Sequence, residues 1–165
     1  MDFPALLHAF ARAVEAGDGA ALAALFREDG CYADTFYGEH RGRAAIRDML
    51  EGMFHRDGEG FRWAFRDPVC DGRRGYARWR FSYTSRLPES AGRRVAVEGM
   101  SCFELEGGAI VRYDEVFDAG QALAQLGFTP ERLARLLARW AETARARPGM
   151  APHLAPPKEL PGDEG

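Results

Sequence analysis

Apolar positions in this chain recur at helical spacing up to about residue 57 and alternate after it, so helices are expected first and a sheet second. Leu6, Leu7, Phe10 and Val14 share one helical face, and Gly17-Asp18-Gly19 stops that helix. A second helix is expected from about Ala20 to Phe26, with Asp18 as its cap. The stretch REDGCYADTFYGEH is broken by turn residues, and Tyr32, Asp34 and Phe36 fall on one face of a short extended segment. Gly42 precedes a third amphipathic helix, RAAIRDMLEGMF, with Ile46, Met49, Leu50 and Met53 as its stripe.

After Asp57-Gly58 the period is two. In FRWAFRDP, Phe61, Trp63 and Phe65 alternate with Arg62 and Arg66; in YARWRFSYTSRL, Trp79, Phe81, Tyr83 and Leu87 alternate with Arg78, Arg80 and Arg86. Each strand therefore has an aromatic side and an arginine side. RVAVEGMSCFELEGGAIVRYDEVFD is the hairpin that closes the sheet, turning at Glu106-Gly107-Gly108. A three-residue turn is expected there, because it aligns Val95, Val97, Gly99, Ser101 and Phe103 with Val111, Tyr113, Glu115 and Phe117. A two-residue turn mixes polarity on each face. In the expected register Gly99 lies opposite Glu115.

Asp118 then caps AGQALAQLGF, and Thr129-Pro130-Glu131 starts a long helix whose Leu133, Leu136, Leu137 and Trp140 form one stripe. The organisation expected is a domain over residues 1–128, an amphipathic helix over 129–147 docked on it, and a flexible tail over 148–165, where proline and glycine interrupt any period.

Composition narrows the function classes. The chain has 165 residues, 46% hydrophobic and 12% aromatic, which suits one core. Its net charge of −3 arises from intermixed acids and arginines, so no basic field for nucleic acid is present. The first residues lack a basic leader and no stretch reaches membrane-spanning length, so a cytoplasmic protein is expected. Cys31, Cys70 and Cys102 are odd in number and far apart, and the four histidines show no ligand spacing; neither disulfide nor metal is expected.

Helix, helix, extended segment, helix and then a curved sheet with one aromatic face is an α+β order. Three stretches, LFREDGCYADTF, HRGRAAIRDML and CFELEGGAIVRYDEVFDAGQALAQLGF, together resemble the SnoaL-like branch of the nuclear transport factor 2 superfamily. The resemblance implies an NTF2-like cone, a curved antiparallel sheet wrapped by N-terminal helices, over roughly residues 3 to 128, with the long helix after Pro130 as an addition. It also implies a homodimer paired through the sheet and no cofactor. In register the chain is most similar to limonene-1,2-epoxide hydrolases: Tyr32 falls on their water-positioning tyrosine, Asp34 on their asparagine and Glu115 on one catalytic aspartate. The other two members of that Asp-Arg-Asp set read Trp79 and Phe81 here. By resemblance to ketosteroid isomerases, which place a general-base aspartate before a G-x-A-A-I-R helix start, Asp34 takes that place.

Read as chemistry, Glu115 is the conspicuous residue, a carboxylate on a strand face it shares with Tyr113 and Phe117. Asp34 and Glu115 in one apolar pocket would have unequal environments, one ionised and one protonated near neutral pH, and so could move a proton between two positions of a substrate. Tyr32 would position a substrate oxygen; Trp63, Trp79, Phe81, Tyr83, Tyr113 and Phe117 would wall the pocket, with His40 at its mouth. The expected function is acid–base proton transfer (isomerisation, cyclisation or dehydration) on an apolar small molecule. The alternatives are a non-catalytic binding or dimerisation domain and, third, epoxide hydrolysis.

Overall fold

Each helix at the amino end begins on a side-chain cap. Asp2 accepts the Ala5 N–H at 2.8 Å and opens α1 (Phe3–Ala16), which Gly17 ends in the left-handed region at φ 70°. Asp18 accepts the Ala21 N–H at 2.8 Å and opens α2 (Gly19–Ala24). The expected continuation to Phe26 fails, because Phe26 already belongs to a strand and is fully buried there. The computed structural model describes residues 1–156 in two compact units, one ending at Gly127 and one beginning at Phe128.

The first unit continues with β1 (Phe26–Asp34), β2 (Gly38–Arg41), α3 (Arg43–Met49), α4 (His55–Asp57), β3 (Gly58–Cys70), β4 (Arg74–Ser85), β5 (Arg94–Glu106), β6 (Ala109–Phe117) and α5 (Ala119–Gln125). A π-turn over Leu50–Phe54 separates α3 from α4, so the single helix expected over Arg43–Phe54 is interrupted. The strands form one sheet in the order β2-β1-β6-β5-β4-β3. All neighbours are antiparallel except β1 and β6, which run parallel, a detail that alternation alone does not encode. Phe10 of α1 sits at the centre of the core, its ring 5.0 Å from that of Tyr113 and 5.9 Å from that of Tyr32. Glu15 ties the same helix to β3 by accepting the Trp63 N–H at 2.7 Å.

The closing hairpin keeps the expected faces by a different device. Its loop is the two-residue Gly107-Gly108, both left-handed at φ 59° and 81°, the conformation whose twist matches the flanking strands. The polarity mismatch this creates is relieved by a bulge: Leu105 pairs with Ile110, whereas Glu104 pairs with Arg112. Ile110 rather than Val111 therefore enters the core, and Ser101 rather than Gly99 lies opposite Glu115. Gly99 sits between Trp79 and Phe117 instead, and a Cβ there would come within 2.4 Å of the Trp79 ring. The missing side chain makes room for an indole, not for a carboxylate.

In the second unit Thr129 caps α6 (Pro130–Arg145) by accepting the Arg132 N–H at 3.4 Å, and Leu133, Leu136, Leu137 and Trp140 recur along it. A short α7 (Ala151–Leu154) follows within the stretch expected to be a flexible tail; residues 157–165 of that stretch lie outside the described residues. Among the described residues no helix is long and apolar enough to cross a membrane.

Candidate functional site

The concave side of the sheet encloses a cavity of about 80 Å³, open at its mouth. Period-two alternation puts its walls in place: Phe61 and Trp63 from β3, Trp79, Phe81 and Tyr83 from β4, and Phe117 from β6. The Trp63 ring lies 4.8 Å from that of Phe81, and the Trp79 ring 5.6 Å from that of Phe117. These walls leave open space between them, so the aromatic residues bound a cavity and do not fill it.

Two carboxyl groups expected from the sequence open onto this space, Asp34 from the end of β1 and Glu115 from β6. Asp34 Oδ1 accepts the N–H groups of Phe36 and Tyr37, both at 2.7 Å, so the turn after β1 fixes its orientation. Burial pushes the Asp34 pKa up, and these two backbone donors pull it partly back. Glu115 is pushed up to about 8, first by burial and then by the charge of Asp34, against opposing contacts from Tyr113 and Thr35. The two acids titrate as a pair, and Glu115, the one pushed up to about 8, holds a proton near neutrality.

Behind Glu115 runs a buried chain of hydrogen bonds that all point one way. Trp79 Nε1 donates to Ser101 Oγ at 2.8 Å, Ser101 to the Tyr113 hydroxyl at 2.9 Å, and Tyr113 to Glu115 Oε2 at 2.8 Å. Ser101, expected on this face but not among the site residues, is the link that the corrected register brings opposite Glu115.

The Tyr32 hydroxyl is fully buried in the cavity wall without a well-formed partner; the Tyr113 hydroxyl is near it but directs its proton at Glu115. Trp63 Nε1 is a second buried donor lacking a partner among the described residues. Burial and the two nearby carboxylates raise the Tyr32 pKa well above the ordinary phenol value, so it stays a donor. Both atoms are suited to a ligand oxygen.

Eight of the ten residues expected at the site line the cavity; Tyr113 and His40 do not. Tyr113 is wholly buried behind Glu115, one layer back. His40 faces Tyr32 across the β1–β2 pair, where its charge acts on Asp34 without reaching the cavity. Sequence reasoning missed Tyr37 and Asp57, which form a second polar corner: Tyr37 donates to Asp57 Oδ2 at 2.8 Å, and Arg56 reaches Asp57 Oδ1 at 2.6 Å. Arg56 holds the Asp57 carboxyl below its ordinary range, so that acid is already neutralised. The signal available was the turn position of Asp57, where the period changes, but only the π-turn aims it at the cavity.

Comparison with known proteins agrees with this architecture. The sequence profile of the SnoaL-like domain matches residues 7–113. Among curated proteins none matches significantly. Among solved structures, a Catenulispora acidiphila protein with a ketosteroid isomerase-like fold, in complex with trimethylamine, is similar over 78% of this chain and 100% of its own, at 21% identity and a TM-score of 0.68. A candidate polyketide cyclase from Xanthomonas campestris is 25% identical over 74% of this chain and 95% of its own, with a TM-score of 0.61. An LEH-like epoxide hydrolase from M. tuberculosis is 20% identical over 82% of this chain and 94% of its own, also at 0.61.

Proposed function

This chain belongs to the SnoaL-like domain family, and from that premise we propose that it catalyses acid–base proton transfer on a small, largely apolar molecule held in the cavity. The observation that carries this reading is the pairing of two unequal carboxyl groups, Asp34 and Glu115, in one aromatic-walled space. Asp34, fixed by two backbone donors, is the base that takes a proton from carbon. Glu115, protonated, is the acid that faces the developing oxyanion or returns the proton, and the Tyr32 hydroxyl holds the same oxygen. The outcome is an isomerisation, cyclisation or dehydration, according to what lies next to the carbanion. A chain of this fold with trimethylamine bound supports reading the cavity as a small-molecule site. Epoxide hydrolysis is less well supported, since Trp79 and Phe81 wall the cavity where that chemistry needs an arginine and an aspartate.

The test is hydrogen exchange at carbon. Enolisable cyclic ketones incubated in D2O with the protein should take up deuterium, and Asp34→Asn should slow uptake by roughly 10²–10⁴-fold, the usual contribution of a positioned base. The pH profile should rise as Asp34 ionises and fall as Glu115 loses its proton near about 8. Carboxyl NMR titration, with Glu115→Gln for assignment, checks the second limb directly. No uptake from any ketone, with an ordinary Glu115 titration, would leave a binding domain as the better account.

A further inference from the structure

The cavity is acidic in a way that proton transfer alone does not require. Among the described residues its lining holds three carboxyl groups and no lysine, arginine or histidine. Asp57 has Arg56 for a counter-ion, whereas neither Asp34 nor Glu115 makes an ion pair among the described residues. Neither acid has a basic side chain beside it in the lining, and a carboxylate without a counter-ion inside aromatic walls is costly. Those walls are themselves suited to the opposite sign. The faces of Trp63, Phe81 and Phe117 are the negative ends of their quadrupoles, and indole and phenyl faces attract compact, weakly hydrated cations.

We propose, resting on the reading of this cavity as a ligand site, that its ligand carries an alkylated ammonium group, seated on the aromatic walls beside Asp34 and Glu115. The ligand supplies the missing counter-ion. An oxygen elsewhere on it meets the Tyr32 hydroxyl, which lacks a hydrogen-bond partner among the described residues. A fully or largely alkylated ammonium suits this site better than a primary one. Most of the wall beside the two acids is aromatic or aliphatic and Asp57 is already engaged by Tyr37 and Arg56, so N-alkyl groups match more of the wall than a strongly hydrated –NH3+ does.

The test compares two probes of matching shape, phenyltrimethylammonium and neutral tert-butylbenzene, by tryptophan fluorescence of the full chain and by Glu115 carboxyl NMR. The groups facing Glu115 that such a titration must allow for are Tyr32 and Asp34 on β1 and Tyr113 on β6. His40 on β2, Tyr83 on β4, Tyr37 in the turn after β1 and Asp57 at the end of α4 act through Asp34 or at its edge. The expected result is that the cation binds at least about tenfold more tightly than its isostere, corresponding to roughly 1.4 kcal/mol. It should also lower the Glu115 pKa, because a nearby positive charge favours the ionised acid. Glu115→Gln together with Asp34→Asn should abolish the preference while leaving the isostere bound. If the isostere binds as tightly as the cation, or more tightly, the ammonium assignment is overturned and the apolar pocket stands. If neither probe binds, both the assignment and the underlying pocket reading are overturned.

Discussion

Glu115 is tolerated where it is because it is protonated, and this has a sign that can be measured. Its folded pKa of about 8 lies above the ordinary carboxyl value, so the folded chain binds more protons than the unfolded chain between those two points. Stability therefore falls as pH rises from about 4.5 to about 8 and levels off above. Glu115→Gln removes that loss while its amide oxygen still accepts from Tyr113. Urea melts at pH 9 should show the variant more stable by roughly 1–3 kcal/mol, with the gap closing toward pH 4, at the expense of activity. The sequence displayed the anomaly itself, an acid on an apolar face. It could not display Ser101 behind Tyr113, because Ser101 comes opposite Glu115 only through a register set by a bulge. Asp34 was legible by its place before a turn, and its backbone bonds to Phe36 and Tyr37 are what such an aspartate makes whether or not it is also a base.

Among the elements, alternation located β3, β4 and β6 well because each buries one face, so that aromatic and arginine sides separate along the strand. It failed where geometry departs from the ideal period. The bulge at Val111 and the π-turn at Leu50–Phe54 each insert a residue that no periodic template contains. Gly99 shows the same limit: a gap was legible, its occupant was not. Because the Trp79 indole crosses β5 there, Gly99→Ala forces backbone or ring to move. Loss of roughly 1–3 kcal/mol is expected in a urea melt, together with a shift of tryptophan emission as Trp79 leaves its buried site. Gly107→Ala, in open space at a left-handed loop position, should cost only about 1 kcal/mol and leave the emission unchanged.

For the whole molecule, the core cluster and cavity described above lie within residues 1–127, so that segment alone should melt cooperatively with the cavity probes still bound; a circular dichroism melt of the truncated chain checks this. On the convex face, Met100 and Val116 are paired across strands and stand 43% and 70% exposed. Arg80–Glu98 and Arg112–Asp114 ion pairs occupy the same sheet face. The pairing of two copies through the sheet, which the family resemblance implies, predicts that Val116→Arg converts a dimer to a monomer in analytical ultracentrifugation. The parallel neighbours β1 and β6 carry a further consequence. They join residues near 26–32 to residues near 110–113, the most distant sequence partners in the sheet, and the two acids project from the ends of these same strands. Closing so long a loop is late work for a folding chain, whereas the β3–β4 and β5–β6 hairpins can zip locally. In pulse-labelled refolding those hairpins should gain amide protection before β1 does. The Asp34–Glu115 pair would then have no existence in any partly folded intermediate, and its appearance would mark completion of the fold.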